Sequence, residues 1–159
     1  MRQDGFSLVE LITVMTLIGI LLAIGTLDFN RMTRKYAVDN QTRSLYTDLM
    51  DARLKSMYKK KSHYVKLTVD TFSMYSSVDA GGNPLGLALS KGLKQQITWG
   101  TPNTIEFNSQ GLTTDIGSIC VADGGNPGAN DSIVISMTRI NMGKRKSDGA
   151  CKSDDIEIR

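Results

Sequence analysis

The sequence contains one histidine, two cysteines and no proline before residue 84. His63 has no cysteine or second histidine near it in sequence, which leaves a metal centre or an imidazole-based catalytic pair without donors. There is no nucleophile motif, no phosphate-cradling glycine loop and no paired-carboxylate pattern. An enzyme reading therefore has no residues to carry it, and neither a catalytic residue nor a cofactor is expected. Neither Gly nor Pro interrupts residues 26–80, so a helix entering that stretch meets no intrinsic breaker.

What is present begins at the N-terminus. From Phe6 to Leu27 the chain is apolar over 22 residues, and Glu10 is the only charge among them. As a helix this run spans about 33 Å, enough to cross a bilayer core. A carboxylate at the centre of a membrane helix costs roughly 2.5–3.5 kcal/mol, and less near an end, so Glu10 reads as functional and in need of a cation. A conventional signal peptide is the competing reading, with Ala23-Ile24-Gly25 as a small-x-small cleavage site and a mature end near Thr26. Against it, the apolar run is longer than a typical signal core and contains Glu10. Arg31, Arg34 and Lys35 follow the span while only Arg2 precedes it, which by charge alone favours the reverse orientation.

The junction Gly5-Phe6-Ser7-Leu8-Val9-Glu10-Leu11 resembles the cleavage and methylation motif of type IV prepilins and type II secretion pseudopilins. The resemblance implies that residues 1–5 are a leader removed after Gly5 by a prepilin peptidase, and that Phe6 is then N-methylated. It also implies that Glu10 is the assembly residue. Cleavage supplies the missing cation, because the new α-amino group of Phe6 can pair with Glu10 of a neighbouring subunit. A buried charge is tolerated when paired, and the contact is head-to-tail, the kind that builds filaments. Residues 6–27 would first anchor the precursor in the inner membrane as a single pass, with the head in the periplasm. They would later pack with other pilins or pseudopilins in a periplasmic or cell-surface filament. Members of the family often carry a proline in this segment, which here has only Gly19 and Gly25 as weak points. Either the helix loosens there or the two glycines serve close helix packing.

Residues 28–61 read as an amphipathic continuation of the helix. Val38, Leu45, Leu49 and Ala52 share one sector with Thr42 and Ser56, and Tyr46 and Met57 lie at its edge. Lys59, Lys60 and Lys61 suit a helix C-terminus. Residues 62–159 read as a β-rich head. Val65, Leu67 and Val69 alternate over 63–69, and 72–78 pairs back as a hairpin. Further strands are expected at 97–99, 104–107, 116–122 and 132–139, with Trp99 and Phe107 in the core and 86–92 unassigned. Asn108-Ser109-Gln110-Gly111 reads as a turn. The order of Leu45, Asp48-Leu49-Met50-Asp51-Ala52-Arg53, Met57, Val65-Lys66-Leu67 and Thr104-Ile105-Glu106-Phe107-Asn108-Ser109-Gln110-Gly111 resembles the GspH/FimT group of minor pilins and pseudopilins. That resemblance implies an α+β fold, a long helix packed on two antiparallel sheets.

Cys120 and Cys151 lie beyond the apolar segment; in an exported head a disulfide between them is expected, and reduced buried thiols are the alternative. Some FimT-like members of DNA-uptake pili carry a Gly-Arg-x-Arg element associated with DNA binding. Here Gly143-Lys144-Arg145-Lys146 stands in its place, and lysine neutralises phosphate without arginine's bidentate fork. DNA is thus the alternative partner, and binding of that kind would be sequence-independent and salt-sensitive. The loop from Asp123 to Asp131 offers oxygens of the kind calcium uses but lacks the EF-hand spacing, so no metal is expected.

Overall fold

The computed structural model describes residues 7–79, 83–100, 103–121, 128–146 and 149–158, with the backbone alone at 24–27. The leader and Phe6, and most of the loop from Asp123 to Asp131, lie outside the described residues.

One helix, α1, covers Leu8–Lys59. It ends where Lys60 takes a left-handed backbone, φ 55°, and the Lys61 N–H donates to the Ser56 carbonyl at 3.3 Å. This is the six-to-one bond of a Schellman cap, in a position where glycine is free of Cβ strain. Lys60→Gly is therefore expected to stabilise the protein by about 0.5–1 kcal/mol in a denaturant titration, a rare gain from inserting glycine.

The chain divides into two compact units, Met1–Arg34 and Lys35–Arg159. Among the described residues, every buried core side chain belongs to the second, which therefore has what it needs to fold alone. The expected face of α1 is the buried one: Val38, Leu45, Leu49 and Ala52, with Thr42 and Ser56 between them. Both hydroxyls are satisfied by their own helix, Thr42 donating to the Val38 carbonyl at 2.9 Å and Ser56 to that of Arg53 at 2.7 Å.

Against this face lie two antiparallel sheets. The first comprises β1 (His63–Leu67), β2 (Thr71–Val78), β3 (Pro84–Gly92) and β5 (Thr104–Phe107), in the order β3-β2-β1-β5. Its inward residues Val65, Leu67, Phe72, Met74, Ile105 and Phe107 are buried. Val69, expected to continue that face, is 48% exposed, because the strand stops at Leu67 and the Thr68 N–H turns back to the Thr71 carbonyl at 2.9 Å. Gly111 ends the turn after β5 with φ +73°, and a Cβ there would stand 2.7 Å from the Met57 side chain.

The second sheet runs β4-β6-β7-β8-β9, where β4 is Ile97–Trp99, β6 Gly117–Val121, β7 Ser132–Ile135, β8 Ile140–Arg145 and β9 Ile156–Ile158. It is covered on both faces. Ile119, Val121, Ile133, Ile135 and Ile140 join the central core, while Cys120, Val134 and Ile156 form a second small cluster with Cys151. The strand expected over 132–139 stops at Ile135, and residues 136–139 form a turn. The Ser136 N–H donates to the Arg139 carbonyl at 2.8 Å, and the chain folds back as β8. Phe107 is core, and Trp99 is half-buried against it.

A polar clasp ties the helix to the segment before β7. Asp39 accepts from Arg43 Nε at 2.8 Å, and from the Asn130 backbone and side-chain nitrogens at 3.1 Å each. Burial pushes this carboxyl up, but the hydrogen bonds from Arg43 and Asn130 outweigh it, so it lies below its ordinary value. A depressed folded value contributes stability above the unfolded value of about 3.9, and that contribution is lost as pH falls through the folded one. Asp39→Ala is expected to cost about 1–3 kcal/mol at neutral pH. The gap from the unmodified protein should narrow below about pH 4 in a thermal-unfolding series.

Candidate functional site

The site singled out by the sequence sits on the first turns of α1. The Leu11 N–H donates to the Ser7 carbonyl at 3.2 Å, which starts the helix, and Glu10 lies in its first turn. A carboxylate there is favoured by the positive end of the helix dipole. The hydroxyls of this stretch turn inward on their own backbone: Thr13 donates to the Glu10 carbonyl and Thr16 to that of Thr13, both at 2.8 Å. Glu10 is different. Among the described residues its carboxylate has no hydrogen bond or ion pair, and it stands exposed beside Leu8, Val9, Leu11, Ile12 and Val14. The helix is long and apolar enough to cross a membrane, and the side chains from Leu8 to Ala23 all lie open. So much contiguous apolar surface requires lipid or other helices. Gly5 and Phe6, the expected cleavage and methylation positions, lie outside the described residues.

In the head, Cys120 and Cys151 are joined by a disulfide with a Cα–Cα distance of 5.9 Å. It holds the segment after β8 against β6, and the Ser118 hydroxyl adds a bond to the Cys151 carbonyl at 2.8 Å. Lys144 and Arg145 lie half-buried in β8, with exposed Lys146 following. The returning segment sets acids beside them. Lys144 stands opposite Glu157, and Lys146 bonds the Asp154 carbonyl through Nζ at 3.2 Å and the Asp155 carbonyl through its N–H at 2.9 Å. The Arg145 N–H is taken by the buried Asp131 carboxylate at 2.7 Å. Glu157 of β9, with Asp154 and Asp155 in the single turn (Ser153–Asp155) before it, lies alongside the triplet, and the bonds to Lys146 come from backbone carbonyls. That register was hidden from a reading that ended the strand at Arg139. His63 is buried, its ring Nδ1 hydrogen-bonded to the Lys61 carbonyl at 3.1 Å. No group of His, Cys, Asp or Glu suited to a metal occurs among the described residues.

Residues 1–26 match the family model for the prokaryotic N-terminal methylation motif. The fold is similar to that of the type IV minor pilin FimU of Pseudomonas aeruginosa in two crystal forms. One superposes with a TM-score of 0.59 at 15% identity, over 74% of this chain and 95% of that one. The other gives 0.52 at 17% identity, over 70% and 94%. The chain thus joins an N-terminal methylation motif to a pilin-like fold. Comparison with curated protein sequences finds no match. For a pilin-like chain the motif implies processing by a prepilin peptidase and assembly with other pilins. The helix with two antiparallel sheets is the α+β fold that the order of head motifs implied, and the disulfide expected of an exported head is formed.

Proposed function

We propose that this chain is a minor subunit of a type IV pilus, cleaved after Gly5, N-methylated at Phe6 and assembled through Glu10. One observation carries the reading: the one carboxylate in the open apolar run has no partner among the described residues, and cleavage at the methylation motif would create an amine four residues before it. Each subunit then offers one anion and one cation at fixed heights on the helix. Residues 6–27 form the membrane anchor and later the filament core, residues 28–61 the half-buried continuation, and residues 62–159 the head facing the periplasm. The pilus is favoured over a type II secretion filament by the likeness to a type IV minor pilin, which is a likeness of fold. The alternative, a DNA receptor, would use Lys144 and Arg145 at the end of β8 with Lys146 following, alongside Glu157 of β9.

The test is fractionation. Filaments sheared from cells producing the tagged chain should carry it at a small fraction of the major subunit. Recovery solely in the membrane fraction, with filaments abundant, would overturn the assignment.

A further inference from the structure

The stretch of α1 that follows the apolar run, Asp28 to Arg34, has two unlike faces. Phe29 and Met32, three residues apart, share one side and are 69% and 53% exposed. They prolong the exposed ridge of Ile18 and Leu22. Thr33 does not interrupt it, because its hydroxyl donates to the Phe29 carbonyl at 2.9 Å. Arg31 and Arg34, also three apart and both exposed, lie on the opposite side. Asp28, the one acid of the stretch, stands on a flank between the two faces. Among the described residues Arg31 has no ion pair.

Height along the helix decides what these side chains meet. At 1.5 Å per residue, Arg31 stands about 6 Å beyond Leu27 and Arg34 about 10 Å. The polar layer on each side of a bilayer core is about 5–8 Å deep. Helical side chains lean toward the helix N-terminus, so both guanidinium groups reach back into that layer. Their planar forks match phosphate oxygens in pairs, and apolar residues opposite cations are the pattern of a helix at a lipid interface. The charge count points the same way. Cleavage after Gly5 would remove Arg2, so every cation flanking the span would then follow it.

We infer that Arg31 and Arg34 bind the phosphates of anionic phospholipids on the membrane face from which the head emerges. Phe29 and Met32 seat at the acyl boundary beside them. Two cations against one acid favour an anionic headgroup over a zwitterionic one. The inference rests on residues 6–27 spanning the membrane, and it names the lipid that this anchor prefers.

The full chain in mixed vesicles tests it, with contact lipids read from spin-labelled phosphatidylglycerol and phosphatidylcholine. The unmodified chain should hold phosphatidylglycerol about fivefold more strongly. Arg31→Gln with Arg34→Gln should bring the two lipids level. Both positions are exposed and precede Val38, the first buried core residue, so the head is untouched. Lys144→Gln with Lys146→Gln removes the same charge from the head and should change nothing. Millimolar inorganic phosphate should not displace the lipid. Equal contact of both lipids with the unmodified chain overturns the inference and leaves the arginines to an acidic group on a neighbouring subunit. A preference that survives the double arginine variant, or that free phosphate abolishes, overturns it as well. A chain that alkaline extraction strips from the vesicles overturns the anchor itself, whatever its lipid preference.

Discussion

Glu10→Ala is expected to reduce incorporation into filaments by more than tenfold while leaving membrane insertion and folding of the head intact. Insertion should become easier, because a carboxylate near the end of the span is removed. The head is insensitive because no buried core residue precedes Val38. The loss arises in the assembled state, where the Phe6 amine of the neighbouring subunit is left among apolar helices without its anion. Breaking a buried pair by deleting one partner costs about 3–5 kcal/mol, and each 1.4 kcal/mol is a factor of about ten in the assembly equilibrium. Glu10→Gln keeps a hydrogen-bond acceptor without the charge and should fall between the two. Quantifying each variant in sheared filaments against its level in membranes checks the order. Equal incorporation of all three would contradict the pairing account of this helix.

Cys120→Ser or Cys151→Ser is expected to be the most damaging change to the head itself. The bridge closes 31 residues of sequence separation, for which the chain-entropy relation gives about 3–4 kcal/mol. For a head of this size that is a fall of roughly 10–15 °C in Tm. The structure also says where the damage begins. Cys151 closes the small cluster of Cys120, Val134 and Ile156 on the outer face of the second sheet. Without the bridge that cluster opens, and β9 loses the turn that delivers it to β8. Circular dichroism melts with and without reductant check this: reductant should lower the midpoint of the unmodified head and leave the double variant unchanged. A shift of less than about 3 °C on losing the bridge would show that packing alone holds the segment.

The parts of this fold that were legible in sequence are those with one buried face. The helix face from Val38 to Ser56 is written in a strict four-and-three spacing, and β1 and β2 alternate because only their inner side is covered. The second sheet has both faces covered, so Ile133-Val134-Ile135 shows no alternation, and nothing in Ser136-Met137-Thr138-Arg139 announces the turn. β8 was therefore missed, and with it the register that places Lys144 opposite Glu157. β3 was unreadable for the opposite reason: with both faces open, its leucines follow no buried pattern. The clasp between Asp39 and Asn130 joins residues 91 apart, a distance over which local patterns carry no information. The N-terminal site is the reverse case. Its proposed meaning lies in the order of seven residues, and of the proposed ion pair the described residues hold one half, the Glu10 carboxylate.

That half-site makes the mature N-terminus the most direct measurement. Mass spectrometry of the protein from assembled filaments should find a chain that begins at Phe6 and carries one added methyl group on its amine. A chain that retains Met1 would leave Glu10 without the Phe6 amine, and one that begins near Thr26 would lack Glu10 itself; either result would contradict the account.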